Sequence, residues 1–102
     1  MSSIKITQDD QIVCPDCGGH FLHHSFVEST FRDFEDGPGT TAMSYDEGVE
    51  VHRAEAESIL GSRDVLKIAF WCEQCGEAGG PKTLVLMQDK GHSLIGWQRD
   101  EE

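Results

Sequence analysis

The sequence predicts a small all-β fold. Three observations predict it. Short runs rich in aromatic and β-branched residues recur along the chain. Turn signals built on glycine, proline and aspartate separate them. Two Cys-x-x-Cys-Gly turns, Cys14-Pro15-Asp16-Cys17-Gly18 and Cys72-Glu73-Gln74-Cys75-Gly76, are 54 residues apart, and there is no fifth cysteine. At 102 residues the chain reads as a single domain over 11–99. A flexible lead-in over 1–10 precedes it, an acidic insertion at about 33–60 interrupts it, and an acidic tail at 100–102 ends it.

The elements follow in order. Gln11-Ile12-Val13 reads as a short strand running into the first cysteine turn. His20 to Phe34 reads as a longer one, with Phe21, His23, Ser25, Val27, Ser29 and Phe31 on one face. From Asp33 to Glu57 the composition changes to eight acids against one base, Arg53. Asp36-Gly37-Pro38-Gly39 is a turn signal near its start. Gly48 to Ala54 alternates as a strand would, and Ala54 to Leu60 fits a short helical turn ended by Gly61; the two readings overlap and stay open. The composition of 33–57 is read most simply as a solvated loop. A surface that docks on a basic protein is the sharper alternative. No Asp-x-Asp-x-Asp-Gly loop is present for calcium.

Val65 to Trp71 is the clearest strand, with Leu66, Ile68 and Phe70 on one face, and it leads directly into Cys72. Gly79-Gly80-Pro81 then resets the chain. Thr83–Gln88 and Ser93–Gln98 read as a hairpin across Asp89-Lys90-Gly91, where Gly91 suits a positive φ. Trp71 and Trp97 are both expected to pack on the core.

The cysteine turns carry the chemistry. Two residues between cysteines let a tight turn aim both sulfurs at one ion about 2.3 Å away. Two such turns complete a tetrahedron of Cys14, Cys17, Cys72 and Cys75 around one structural Zn2+. A shell of four sulfurs leaves no open position, so the chemistry is structural and no catalytic residue is expected. Pro15 pre-sets the first turn. Gly18 and Gly76 tolerate positive φ, which lets backbone N–H groups curl toward the sulfurs. His20, His23, His24, His52 and His92 are not needed as ligands and read as surface or partly packed imidazoles. No nucleophile signature and no phosphate-cradling loop is present.

Composition bounds the partners. With 19 acids against 8 bases the net charge is −11, and a zinc tetrathiolate makes it more negative. Such a surface repels phosphate backbones and favours a basic protein surface. No apolar run reaches 18 residues, so no membrane span is expected. Met1 to Asp10 lacks a signal-peptide core, which implies a cytoplasmic setting in which thiols bind metal rather than form disulfides. Apolar residues make up 37% of the chain, a modest core that a metal cross-link would reinforce.

Strand, turn, strand on either side of the metal resembles the zinc ribbon, two knuckles clamping one ion. Cys14-Pro15-Asp16-Cys17-Gly18-Gly19 with Leu22-His23-His24, then Ser62-Arg63-Asp64 and Phe70-Trp71-Cys72-Glu73-Gln74-Cys75, are similar to a group of small uncharacterised four-cysteine zinc proteins of bacteriophages and actinobacteria. The likeness covers 12–36 and 61–98. It implies the four ligands and a single-domain cytoplasmic setting, and it implies no activity.

The expected function is therefore a non-enzymatic, zinc-stabilised binding or adaptor module whose acidic surface engages a protein, host machinery if the chain is phage-borne. Two alternatives stand beside it. One is a transcription-type ribbon contacting nucleic acid or polymerase. The other is rubredoxin-like electron transfer through iron, against which the 54-residue separation counts.

Overall fold

The computed structural model describes residues 1–98. The expected tail at 100–102 and the end of the expected domain at 99 lie outside them. Six antiparallel strands form one sheet: β1 (Leu22–Arg32), β2 (Gly39–Tyr45), β3 (Gly48–Ala54), β4 (Val65–Cys72), β5 (Lys82–Asp89) and β6 (His92–Trp97). Their order is β3-β2-β1-β4-β5-β6. Two three-stranded meanders thus meet along a central seam between β1 and β4. The all-β expectation holds, and among the described residues helix is limited to two 3-10 turns, Ala56–Ser58 and Glu77–Gly79.

The segment 33–57, whose composition suggests a solvated loop, builds β2 and β3 instead. The reason is where the acids fall. Glu35 and Asp36 lie in one turn and Asp46-Glu47 in another, while Thr40, Thr41 and Tyr45 supply residues that suit a pleated surface. Glu50 is in β3, the sheet edge, where it is exposed. The overlap between strand and helical turn resolves in sequence: Gly48–Ala54 is the strand and Ala56–Ser58 the turn. The expected strand at Gln11–Val13 reduces to a single bridge between Ile6 and Ile12.

An irregular segment crosses each face of the sheet. On one face the β3–β4 connection lays Ile59 and Leu60 against Val65, Val85 and Met87. On the other, Ile4 and Ile12 of the N-terminal segment pack with Phe70, Leu84 and Trp97. The lead-in therefore takes part in the fold. Ser2 exchanges two 2.9 Å backbone hydrogen bonds with Trp97, extending the β6 edge. Trp97 is buried as expected, edge-on to Phe70 at 5.8 Å. Trp71 is not: its side points away from that cluster and it is 45% exposed. Strand alternation decides this, because Phe70 and Cys72 take the inward positions on either side of it.

Arg32 joins the far ends of the elements. Its Nη1 donates to the carbonyls of Gly37 and Ala56, and its Nη2 donates to those of Ile59 at 2.9 Å and Gly61 at 2.7 Å. One guanidinium thus satisfies four backbone acceptors in two loops that no strand ladder reaches. Asp64 accepts the Arg32 backbone N–H at 3.1 Å and holds the start of β4 to the end of β1.

Candidate metal centre

Antiparallel pairing of β1 with β4 sets Leu22 opposite Cys72. That register brings the first knuckle, which runs into β1, beside the second, which leaves β4. Glu73 N–H donates to Phe21 O at 3.1 Å and continues the join beyond the strands. The two knuckles share one local geometry. Gly18 N–H donates to Cys14 O and Gly76 N–H donates to Cys72 O, both at 2.9 Å. Each glycine sits at positive φ, 75° and 65°, where a side chain is strained. Gly19 N–H lies 3.4 Å from Cys17 Sγ, the kind of donor expected to spread thiolate charge.

The four sulfurs converge. Cys14 Sγ and Cys75 Sγ are 3.8 Å apart, Cys17 Sγ and Cys72 Sγ 3.5 Å, and all four lie within 4.8 Å of one another. Four ligands 2.3 Å from a tetrahedral centre stand about 3.8 Å apart along each edge. The cluster therefore fits one ion of that bond length, and the cysteines are free thiols rather than disulfides. Cys14 and Cys72 are buried, Cys75 is half-buried and Cys17 is exposed. Among the described residues no histidine or carboxylate joins the group.

Crowding splits the acidity of Cys17, Cys72 and Cys75 when no cation balances them. Backbone N–H donation from Cys75 outweighs burial and holds Cys72 down to about 7, with help from Cys17. Its hydrogen bond to Cys17, then burial and Cys14, push Cys75 up to about 12. Cys17 is raised: the Gly19 N–H pulls it down, but the Cys72 thiol and burial together prevail. Keeping all four deprotonated at neutral pH is therefore work that a cation must do.

One charged group at the centre has no signature in the sequence. Lys82, the first residue of β5, is only 6% exposed. Its Nζ meets Asp16 Oδ2 at 2.6 Å and donates to Gly79 O at 2.6 Å. Asp16 above all, then the Cys75 and Cys14 sulfurs, raise its pKa and keep it cationic. Lys82 thus bridges the first knuckle, through Asp16, and the second, through Gly79. It also sets a buried positive charge beside a centre that carries net negative charge once metallated. A lysine after Gly-Gly-Pro reads as a surface residue; only the fold turns it inward.

The histidines fall largely as expected. His23 is exposed, 2.7 Å from Glu73 Oε1 and stacked on Trp71 with ring centroids 4.4 Å apart. His24 leans on Phe70 at 5.1 Å. His20, His52 and His92 are exposed. His52 lines a cavity of about 390 Å³ with Glu28, Thr30, Thr41 and Lys67, on the face crossed by the β3–β4 connection.

No family model matches this chain. Comparisons with curated proteins and with solved structures return no match either. What stands is the geometry: four cysteines placed to hold one metal ion in a small antiparallel β domain. Among the described residues no helix is long and apolar enough to cross a membrane.

Proposed function

We propose that this chain is a non-enzymatic adaptor: one zinc ion fixes the meeting of its two meanders, and its acidic surface engages a basic protein. The closed sulfur shell carries the reading. Four thiolates within bonding reach of one centre leave a zinc ion no site for substrate or water. The acids support the second half. Asp46, Glu47 and Glu50 are exposed together at the β2–β3 hairpin, and Glu35, Asp36, Glu55 and Glu57 are exposed in the neighbouring loops. The bases do not counter them. Arg32 and Lys82 are spent inside the fold, Arg53 pairs with Asp33 at 2.6 Å, and Arg63 lies 3.9 Å from Glu35. That leaves little for a phosphate backbone. If the chain is phage-borne, as the resemblance of its cysteine turns implies, host machinery is the source of the partner.

Because 33–57 builds two strands, the test neutralises charge rather than deleting the segment. The zinc-loaded chain is expected to retain a basic protein from a host extract at low salt and release it as salt rises. The variant Asp46→Asn/Glu47→Gln/Glu50→Gln should lose that protein while keeping its fold. Retention that ignores both salt and the three substitutions would refute the acidic interface.

A second reading, electron transfer through iron, has one observation in its favour. Cys17 is exposed, which brings the centre to the surface. Protein purified from its native host should be colourless with zinc. A red chromophore and a stoichiometric iron content would establish the iron reading instead.

A further inference from the structure

We infer that the bare apolar face of the sheet binds a second copy of this chain, closing a two-sheet sandwich about a two-fold axis. The strand registers align one row of side chains across all six strands: Val51, Ala42, Ser29, Leu66, Leu86 and Ile95. Val51, Leu86 and Ile95 are exposed, and so are Val49 and Phe31 in the adjoining rows. The N-terminal segment covers this face only toward the metal, where Ile4 and Ile12 meet Trp97, Phe70 and Leu84. Beyond that the face is open.

Charge points to the occupant. The chain carries 19 acids, yet none occupies a strand position on this face. The three acids that lie within strands, Glu28, Glu50 and Asp89, all project to the opposite face. Glu28 and Glu50 both pair with Met43, and Asp89 shares the parity of Val85, which pairs with Lys67 opposite Glu28. Asp64, at the rim, already accepts the Arg32 N–H, and Arg53 at the β3 corner is paired with Asp33. Two copies with a net charge of −11 each repel over most of their surfaces. This face lets them meet without opposing carboxylates. A basic partner is steered instead toward the acids, which lie elsewhere.

Size places such a contact at the small end of stable interfaces. Six strands about 4.8 Å apart, bare over two to three side-chain rows, present on the order of 500 Å². A stable interface of ordinary size buries about 800 Å² per partner, so the expected dimer is a moderate one. The contact is isologous, each copy offering the same patch, with the sheets about 10 Å apart.

Sedimentation of the zinc-loaded full chain from about 1 to 500 μM tests this. The weight-average mass should climb toward twice that of the chain, with a dissociation constant in roughly the micromolar range. Added salt should strengthen the dimer, because it screens the acids and leaves apolar burial intact. That is opposite to its effect on a basic partner, so the two proposals fail separately. Leu86→Glu should weaken self-association at least about tenfold while far-ultraviolet circular dichroism and bound metal stay unchanged. Ile95→Glu, on the exterior of β6, carries the same test if Leu86→Glu fails to fold. A chain that stays monomeric at the highest concentration, or a dimer that salt dissolves or that survives both substitutions, overturns the proposal. So does a monomer whose basic partner is lost with Leu86→Glu, since the face would then belong to that partner.

Discussion

Replacing Cys72 with serine is expected to remove the metal and the folded state together. The sulfur cluster joins three stretches at that end: the N-terminal segment, the entry to β1 and the exit from β4. Cys72 is also the last residue of β4 and pairs with Leu22, so its sulfur couples the ion directly to the central seam. A structural zinc site contributes about 10–16 kcal/mol of apparent binding free energy near neutral pH. The whole net stability of an ordinary domain is about 5–15 kcal/mol. Cys14→Ser should behave alike. Metal content, near-ultraviolet circular dichroism and a thermal melt measure the outcome. A serine variant that retained its near-ultraviolet signal and melting point would contradict the structural role of the ion.

Acid should reproduce the effect reversibly. Protons and metal compete for the same sulfur lone pairs, so affinity falls with pH. Cys72 is held down to about 7 and Cys75 is pushed up to about 12. The lowered Cys72 contributes stability above its ordinary thiol range and loses it as pH falls through about 7. The raised Cys75 works in the opposite sense and depends on the cation to ionise at all near neutrality. Stepwise acidification with a chromophoric chelator should therefore show metal release and loss of tertiary signal in one transition.

Arg32→Met is expected to lower stability by about 3 kcal/mol while leaving the metal in place. The substitution removes a charged donor from four loop carbonyls, those of Gly37, Ala56, Ile59 and Gly61, of which Ala56 keeps the Ile59 N–H. Hydrogen bonds to charged groups contribute about 1.5–3 kcal/mol each. Part of that returns where water can reach the freed oxygens, so the sum is not the whole four. For a domain of this size the melting point should fall by roughly 15 °C. Arg32→Lys should restore only a fraction, because an ammonium cannot fork between two loops. Since the guanidinium serves the β3–β4 connection and the β1–β2 turn, metal content should stay stoichiometric. An unchanged melting point would show that the two loops hold themselves.

The candidate centre was legible because its information is local. Each Cys-x-x-Cys-Gly turn needs only its own five residues to aim two sulfurs, and two matched turns announce one ion. Val65–Cys72 and the hairpin of β5 and β6 were legible for the same reason, through side-chain alternation and a glycine at φ 86°. The acidic stretch was legible only in part, at Gly48–Ala54. Its charge resembles that of a solvated loop, yet most of its acids fall in turns and Thr41 of β2 pairs with Thr30 of β1, their hydroxyls 2.7 Å apart. Trp71 was misplaced because large size argued for burial, whereas alternation beside Phe70 and Cys72 turned it outward.

The sequence by itself determined the fold class, the four candidate sulfur ligands and the acid excess. Those rest on residue type, short spacing and a sum of charges, none of which depends on how distant segments meet. Only the tertiary structure decided that Lys82 is buried against Asp16, that Arg32 binds two loops, and that one sheet face is free of strand carboxylates. Each depends on strand register, and register is a long-range choice: a shift of one residue would carry every side chain of a strand to the opposite face.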